Sequence, residues 1–286
     1  MFVVIGFLVL LGCVFGVFAA HGGNMAVLLR ALPFEMTTIL GAAAGAFLIS
    51  NPLKVVKGVF KGIASCFRSS RYTKARYLAL LSLLYDVLQK ARKEGLMAIE
   101  NDVDNPKDSP LFRRYPTIVA DQRLVEFITD YLRMMVSGHL NAHEVESLMD
   151  AEIETREQEA HAPVAAINRV AGALPAFGIV AAVLGVVNTM GSVGQPPAVL
   201  GAMIASALVG TFLGVLLAYG VFEPLGGLLE QKTEEAGKQY HCVKTTLLAS
   251  MQGYAPATAI EFGRKVLFSD VRPSFAELEN HVKGRR

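Results

Sequence analysis

Charge is what this sequence has little of. Of its 286 residues only 18% are Asp, Glu, Lys or Arg, against 52% hydrophobic, and the mean hydropathy is +0.41. A soluble domain devotes about a quarter of its residues to charge, so both disorder and an ordinary soluble fold are excluded. Three stretches have no charged residue at all: Met1 to Leu29, Met36 to Leu53 and Val170 to Phe222. Each has room for at least one membrane span of about 17–25 apolar residues. Cysteine is scarce too. Cys13, Cys66 and Cys242 are far apart and lack CxxC spacing, which argues against a disulfide framework or a thiolate metal site and leaves them as packing residues. No G-x-x-x-x-G-K-[ST] and no G-x-S-x-G occurs, so an ATP-driven or hydrolytic enzyme is disfavoured and no cofactor is expected. The net charge of +2 comes without a basic patch interleaved with aromatics, and nucleic acid is not an expected partner.

What is present is an all-α integral membrane pattern. The first span is expected at about 2–20. It has no positive n-region and no convincing cleavage site, and so reads as an uncleaved span rather than a signal peptide. The second is expected at about 34–52. Gly and Pro residues in Gly191 to Pro197 split the long apolar stretch into spans at about 170–190 and 198–222. Four transmembrane helices in two hairpins result, with a large helical cytoplasmic domain over 54–169 and a cytoplasmic tail over 223–286. Orientation follows from basic residues beside the spans. Lys54, Lys57, Lys61, Arg68, Arg71, Lys74 and Arg76 follow the second span without an acid among them, while the hairpin loop 191–197 is uncharged. Both termini and the 54–169 segment are therefore placed in the cytoplasm.

Within that segment, Tyr77, Leu81, Leu84, Tyr85 and Leu88 share one helical face, and Leu124, Phe127, Ile128, Tyr131 and Leu132 share another. Pro106, Pro110 and Pro116 make the stretch between them an irregular connector. Glu144 to Glu159 reads as a charged helix leading toward the third span.

The spans are expected to hold no ionisable residue, although an ion carrier working alone needs one. They hold G-x-x-x-G patterns at Gly12–Gly16, Gly41–Gly45 and Gly210–Gly214, which favour close helix approach within the chain or between copies. Among the hydroxyls, Thr37, Thr38, Ser50, Thr189 and Ser206 are expected to bond a backbone carbonyl one turn back. Thr211 is the exception, because it lies mid-span beside two glycines where it could face a wet pathway. Pro175 and Pro224 lie at similar depth on the cytoplasmic side of the third and fourth spans and form a plausible hinge. His139 and His143 are spaced i, i+4 without further ligands and read as surface, not metal.

The stretches LPAFGIVAAVLGVV (Leu174 to Val187), LVGTFLGVLLAYG (Leu208 to Gly220), GYAPATAIEFGRK (Gly253 to Lys265) and RPSFAELE (Arg272 to Glu279) resemble the MotA family of flagellar stator proteins, within the MotA/TolQ/ExbB proton channels. The resemblance runs nearly the whole length. It implies a subunit in the bacterial inner membrane, one of a ring of copies around MotB, a single-span peptidoglycan-binding partner that supplies the ion-carrying aspartate. It also implies torque on the rotor protein FliG. Carried over residue by residue, it implies rotor contacts at Arg92 and Glu100, conformational coupling at Pro175 and Pro224, and an ion-path threonine at Thr211. Sodium-driven relatives have a threonine where this chain has Ala182. A methyl group cannot replace sodium's hydration shell, so proton drive is expected. The alternatives are an ExbB- or TolQ-like energiser of outer-membrane processes, a stand-alone transporter and a membrane scaffold; lipid is a partner under all four.

Overall fold

The computed structural model describes residues 2–138 and 141–283; His139 lies outside them. Every regular element among the described residues is helical. The chain divides into two compact units, 1–69 with 159–231 and 70–158 with 232–286.

The first unit contains helices Phe2–Ala20 and Met25–Ser50, both long and apolar enough to cross a membrane, as are Ala142–Met190 and Pro197–Met251, which contribute 159–190 and 197–231 to this unit. The Asn24 side chain caps Met25–Ser50 by accepting from the N–H groups of Ala26 and Val27. This helix begins well upstream of Phe34 and continues through Pro33. It therefore includes Arg30 and, in the eleventh of its 26 positions, Glu35. The expectation of spans without ionisable residues fails here: Glu35 lies within the expected bounds 34–52, and the helix takes in Arg30 upstream as well. Leu28, Ala31, Ile39 and Ala43 are buried with Leu174, Ala181, Val209 and Leu213. The amphipathic helix Leu53–Cys66 turns Val59 and Cys66 onto Val164, Ile167, Leu225 and Leu229.

In the second unit, Thr73 caps Lys74–Glu94 and Asp121 caps Gln122–Ser137. The latter ends at Gly138 with φ 66°, a left-handed turn that suits glycine. Leu81, Leu84, Phe127, Ile128, Ile153, Leu247 and Ile260 form one core. The buried Arg76 guanidinium donates to Asp121 Oδ2 at 2.7 Å, to Gln239 Oε1 at 3.0 Å and to the Thr117 carbonyl at 2.8 Å. At the end of the chain, Ser274 and Glu277 form a reciprocal capping box at the start of Phe275–Lys283. The Ser274 backbone N–H, and then Lys74, hold the Glu277 carboxyl below the usual carboxylate range. Arg264 binds Glu261 and the Pro273 carbonyl, and Arg272 binds the Leu267 carbonyl. The RPSFAELE motif is thus a structural clasp.

Cys66 and Cys242 are packed inside, whereas Cys13 is exposed and does not fill the core as expected. No group of three or more His, Cys, Asp or Glu side chains is placed to hold a metal among the described residues.

Candidate functional site

The ion-path candidates lie where two apolar helices meet backbone to backbone. A β-carbon at Gly178 would come within 2.8 Å of the Gly210 carbonyl, and one at Gly214 within 2.7 Å of the Leu174 carbonyl. Only glycine permits this approach. Gly210, the residue before Thr211, packs in turn against Ala182, whose backbone nitrogen would lie 3.2 Å from an added β-carbon. The structure so brings Ala182 and the Gly210–Thr211 step to one level. By contrast, an added β-carbon at Gly12, Gly16, Gly41 or Gly45 meets nothing within 4 Å, so those two G-x-x-x-G faces are open in the single chain.

Most hydroxyls do what helical hydroxyls do. Thr37 donates to the Pro33 carbonyl at 2.6 Å, Thr38 to Phe34 at 3.0 Å, Ser50 to Ala46 at 2.8 Å and Thr189 to Gly185 at 2.9 Å. The half-buried Thr211 makes no such bond among the described residues, and neither does Ser206, which departs from expectation.

Pro175 lies inside Ala142–Met190, one residue from the Leu174 carbonyl that touches Gly214. Pro224 is two residues past the end of a π turn, Ala218–Phe222. Its ring cannot accommodate the carbonyl four residues back, and the widened turn absorbs that conflict. The helix continues through to Met251.

Arg92 and Glu100 belong to the second unit. Arg92 is exposed in the last turn of Lys74–Glu94, Gly95 with φ 91° ends that helix, and Glu100 is exposed at the start of Glu100–Asp104. Neither makes a hydrogen bond or ion pair among the described residues. Between them, Met97 is 66% exposed while Ile99 is fully buried as an anchor. The tip is therefore fixed at its base and free at its charges.

Sequence reasoning missed Glu35. It lines a cavity of about 360 Å³ together with Thr38, Asn188, Thr189 and Ser206. A carboxylate three residues before Thr38 on an apolar helix was a legible signal, since i and i+3 share a face, and Glu35 already lay within the expected span 34–52.

Residues 4–95 match the model "Motility protein A N-terminal", and residues 120–242 match that of the MotA/TolQ/ExbB proton channel family. Motility protein A of Escherichia coli is 50% identical over 99% of this chain and 95% of its own length. The chain belongs to the motility protein A family. It is a stator proton-channel subunit of the bacterial flagellum, a multi-pass inner-membrane protein and not an enzyme. Motility protein A of Salmonella typhimurium is 50% identical over all of this chain and 96% of its own, and chemotaxis protein LafT of Vibrio parahaemolyticus is 35% identical over 96% of each. In fold, the chain resembles C. jejuni MotAB with a TM-score of 0.75 and 21% identity, covering 95% of this chain and 97% of that one. It also resembles the MotAB stator complex of Bacillus subtilis, with a TM-score of 0.68 and 24% identity over 90% and 92%.

Proposed function

We propose that this stator subunit forms part of a channel wall that a MotB-like, single-span, peptidoglycan-binding partner completes with its own aspartate. In this reading the chain crosses the membrane four times in two hairpins, with both termini, the 54–169 segment and the 223–286 tail in the cytoplasm; the lysines and arginines after Ser50 support it. Several copies surround the partner, and the open small-residue faces at Gly12–Gly16 and Gly41–Gly45 suit contacts between copies or with lipid.

The observation that carries this reading is Thr211. Among the described residues it stands half-buried with an uncommitted hydroxyl, next to a glycine pressed on Ala182, and Ser206 on the same helix likewise makes no hydroxyl bond. Such a hydroxyl is available to a passing ion or water, while the methyl of Ala182 offers sodium no ligand. The ion is therefore a proton. Passage is coupled to torque through Pro175, inside the continuous helix Ala142–Met190, and Pro224, which lies just after the π turn Ala218–Phe222. Arg92 and Glu100, exposed and unpaired, meet the rotor protein FliG through charge-steered contacts.

Purification of the complex in mild detergent tests this directly. A co-purifying one-span protein with an aspartate near the start of its helix and a peptidoglycan-binding domain is the expected result. A chain that purifies alone and conducts protons by itself would overturn the reading.

A further inference from the structure

Glu35 is a carboxylate on a mostly apolar helix that also carries Arg30, and such a group is costly in a membrane unless it works or is paired. It has no hydrogen bond or ion pair among the described residues. Its position, the eleventh in Met25–Ser50, is about 15 Å along the axis from the helix start at ~1.5 Å per residue, well inside the helix.

The surroundings point to a proton. The cavity of about 360 Å³ has room for roughly ten waters at ~30 Å³ each. Glu35 is faced by Thr38 from its own helix, by Asn188 and Thr189 from Ala142–Met190, and by Ser206 from Pro197–Leu217. None of these is titratable, and no other charged side chain lines the cavity among the described residues. Thr38 and Thr189 have already donated their hydroxyl hydrogens to the Phe34 and Gly185 carbonyls, so they present only lone pairs. The lining is rich in acceptors and has no cation of its own.

The carboxylate also reaches the level of the ion-path residues. Its Oε2 lies only 2.6 Å from where a β-carbon on Gly210 would stand. The next residue is Thr211, and Ala182 packs against the same glycine.

The geometry points to Glu35 as a proton-holding site belonging to this chain itself, a way station in this polar cavity before the partner's aspartate. A hydronium in the cavity gives up one O–H bond as one Glu35 oxygen gains it, leaving water and a neutral carboxylic acid. The reverse transfer, to a water at the level of Thr211, restores the carboxylate. This assignment rests on the proton-drive reading above and adds a second ionisable group to the path.

The test uses the complete stator complex, opened for conduction, in phospholipid vesicles with proton- and sodium-sensitive dyes. Wild type carries protons. In Glu35→Gln, at equal complex per vesicle, proton flux falls about tenfold or more, as expected when a charged cleft stops concentrating its ion. The loss is greatest at high external pH, and Glu35→Asp restores most of the flux. Proton flux in Glu35→Gln equal to wild type at every external pH overturns the Glu35 assignment alone. Wild-type vesicles that carry sodium and no protons overturn the proton-drive reading and this one with it. If Glu35→Gln does not assemble, infrared difference spectra on a pH jump decide with Glu35→Asp. A protonated-carboxyl band that shifts relative to wild type supports the assignment, and an unshifted band overturns it.

Discussion

Lys90 Nζ donates to Oδ2 of buried Asp102 at 2.7 Å, and Ser109 Oγ donates to the other oxygen at 2.6 Å. The pair ties the last turns of Lys74–Glu94 to the short helix that begins with Glu100, and so sets the spacing between Arg92 and Glu100. Asp102→Ala removes both bonds and leaves Lys90 without its partner, at a cost of about 1–3 kcal/mol. In cells, swimming speed should drop while the amount of membrane-inserted protein stays near wild type. Wild-type speed in Asp102→Ala would show that the spacing does not matter.

Arg92 has no partner among the described residues to lose, so its substitution should leave stability within about 0.5 kcal/mol. Arg92→Glu should nevertheless impair torque, and an opposite charge reversal on the rotor should restore part of it. Tethered-cell rotation measures both. If no single charge change at Arg92 or Glu100 alters torque, the rotor contact lies elsewhere.

Arg76 is the reverse case, buried and fully engaged with Asp121, Gln239 and the Thr117 carbonyl. Arg76→Ala strands the Asp121 carboxylate and should destabilise the second unit by about 3–5 kcal/mol, the cost of breaking a buried pair on one side. Denaturant titration of the purified complex reads the loss, and Asp121→Asn combined with Arg76→Met should recover part of it.

The glycine contact between apolar helices gives a separate expectation. In Gly178→Ala the new methyl would stand 2.8 Å from the Gly210 carbonyl, which is backbone and cannot rotate away. The helices must separate, at about 1–3 kcal/mol for an overpacked interior. Thermal stability of the detergent-solubilised complex should fall accordingly, with no comparable effect from Gly227→Ala, where an added β-carbon meets nothing within 4 Å.

Helical periodicity made much of the all-helical fold legible, because each amphipathic helix carries its own buried face in its own sequence. Leu81, Leu84, Phe127 and Ile128 are in the core for that reason. What periodicity does not encode is which helix lies opposite. Arg76 and Gln239 are 163 residues apart and meet only in three dimensions, and nothing local in the sequence pairs them. At the candidate site, the exposure of Arg92 and Glu100 and the glycine beside Thr211 were legible in the sequence. The charge of Glu35 within the expected second span was legible too; the polar cavity it faces was not, because Thr38, Asn188, Thr189 and Ser206 come together only from three separate helices.

Rotation speed in cells whose only stator contains this chain, recorded while external sodium is exchanged for potassium at fixed pH, tests the central claim most directly. If protons drive torque through the path at Ala182 and Thr211, speed is unchanged by the exchange and falls when the proton gradient is collapsed. A stop on sodium removal, with the proton gradient intact, would contradict it.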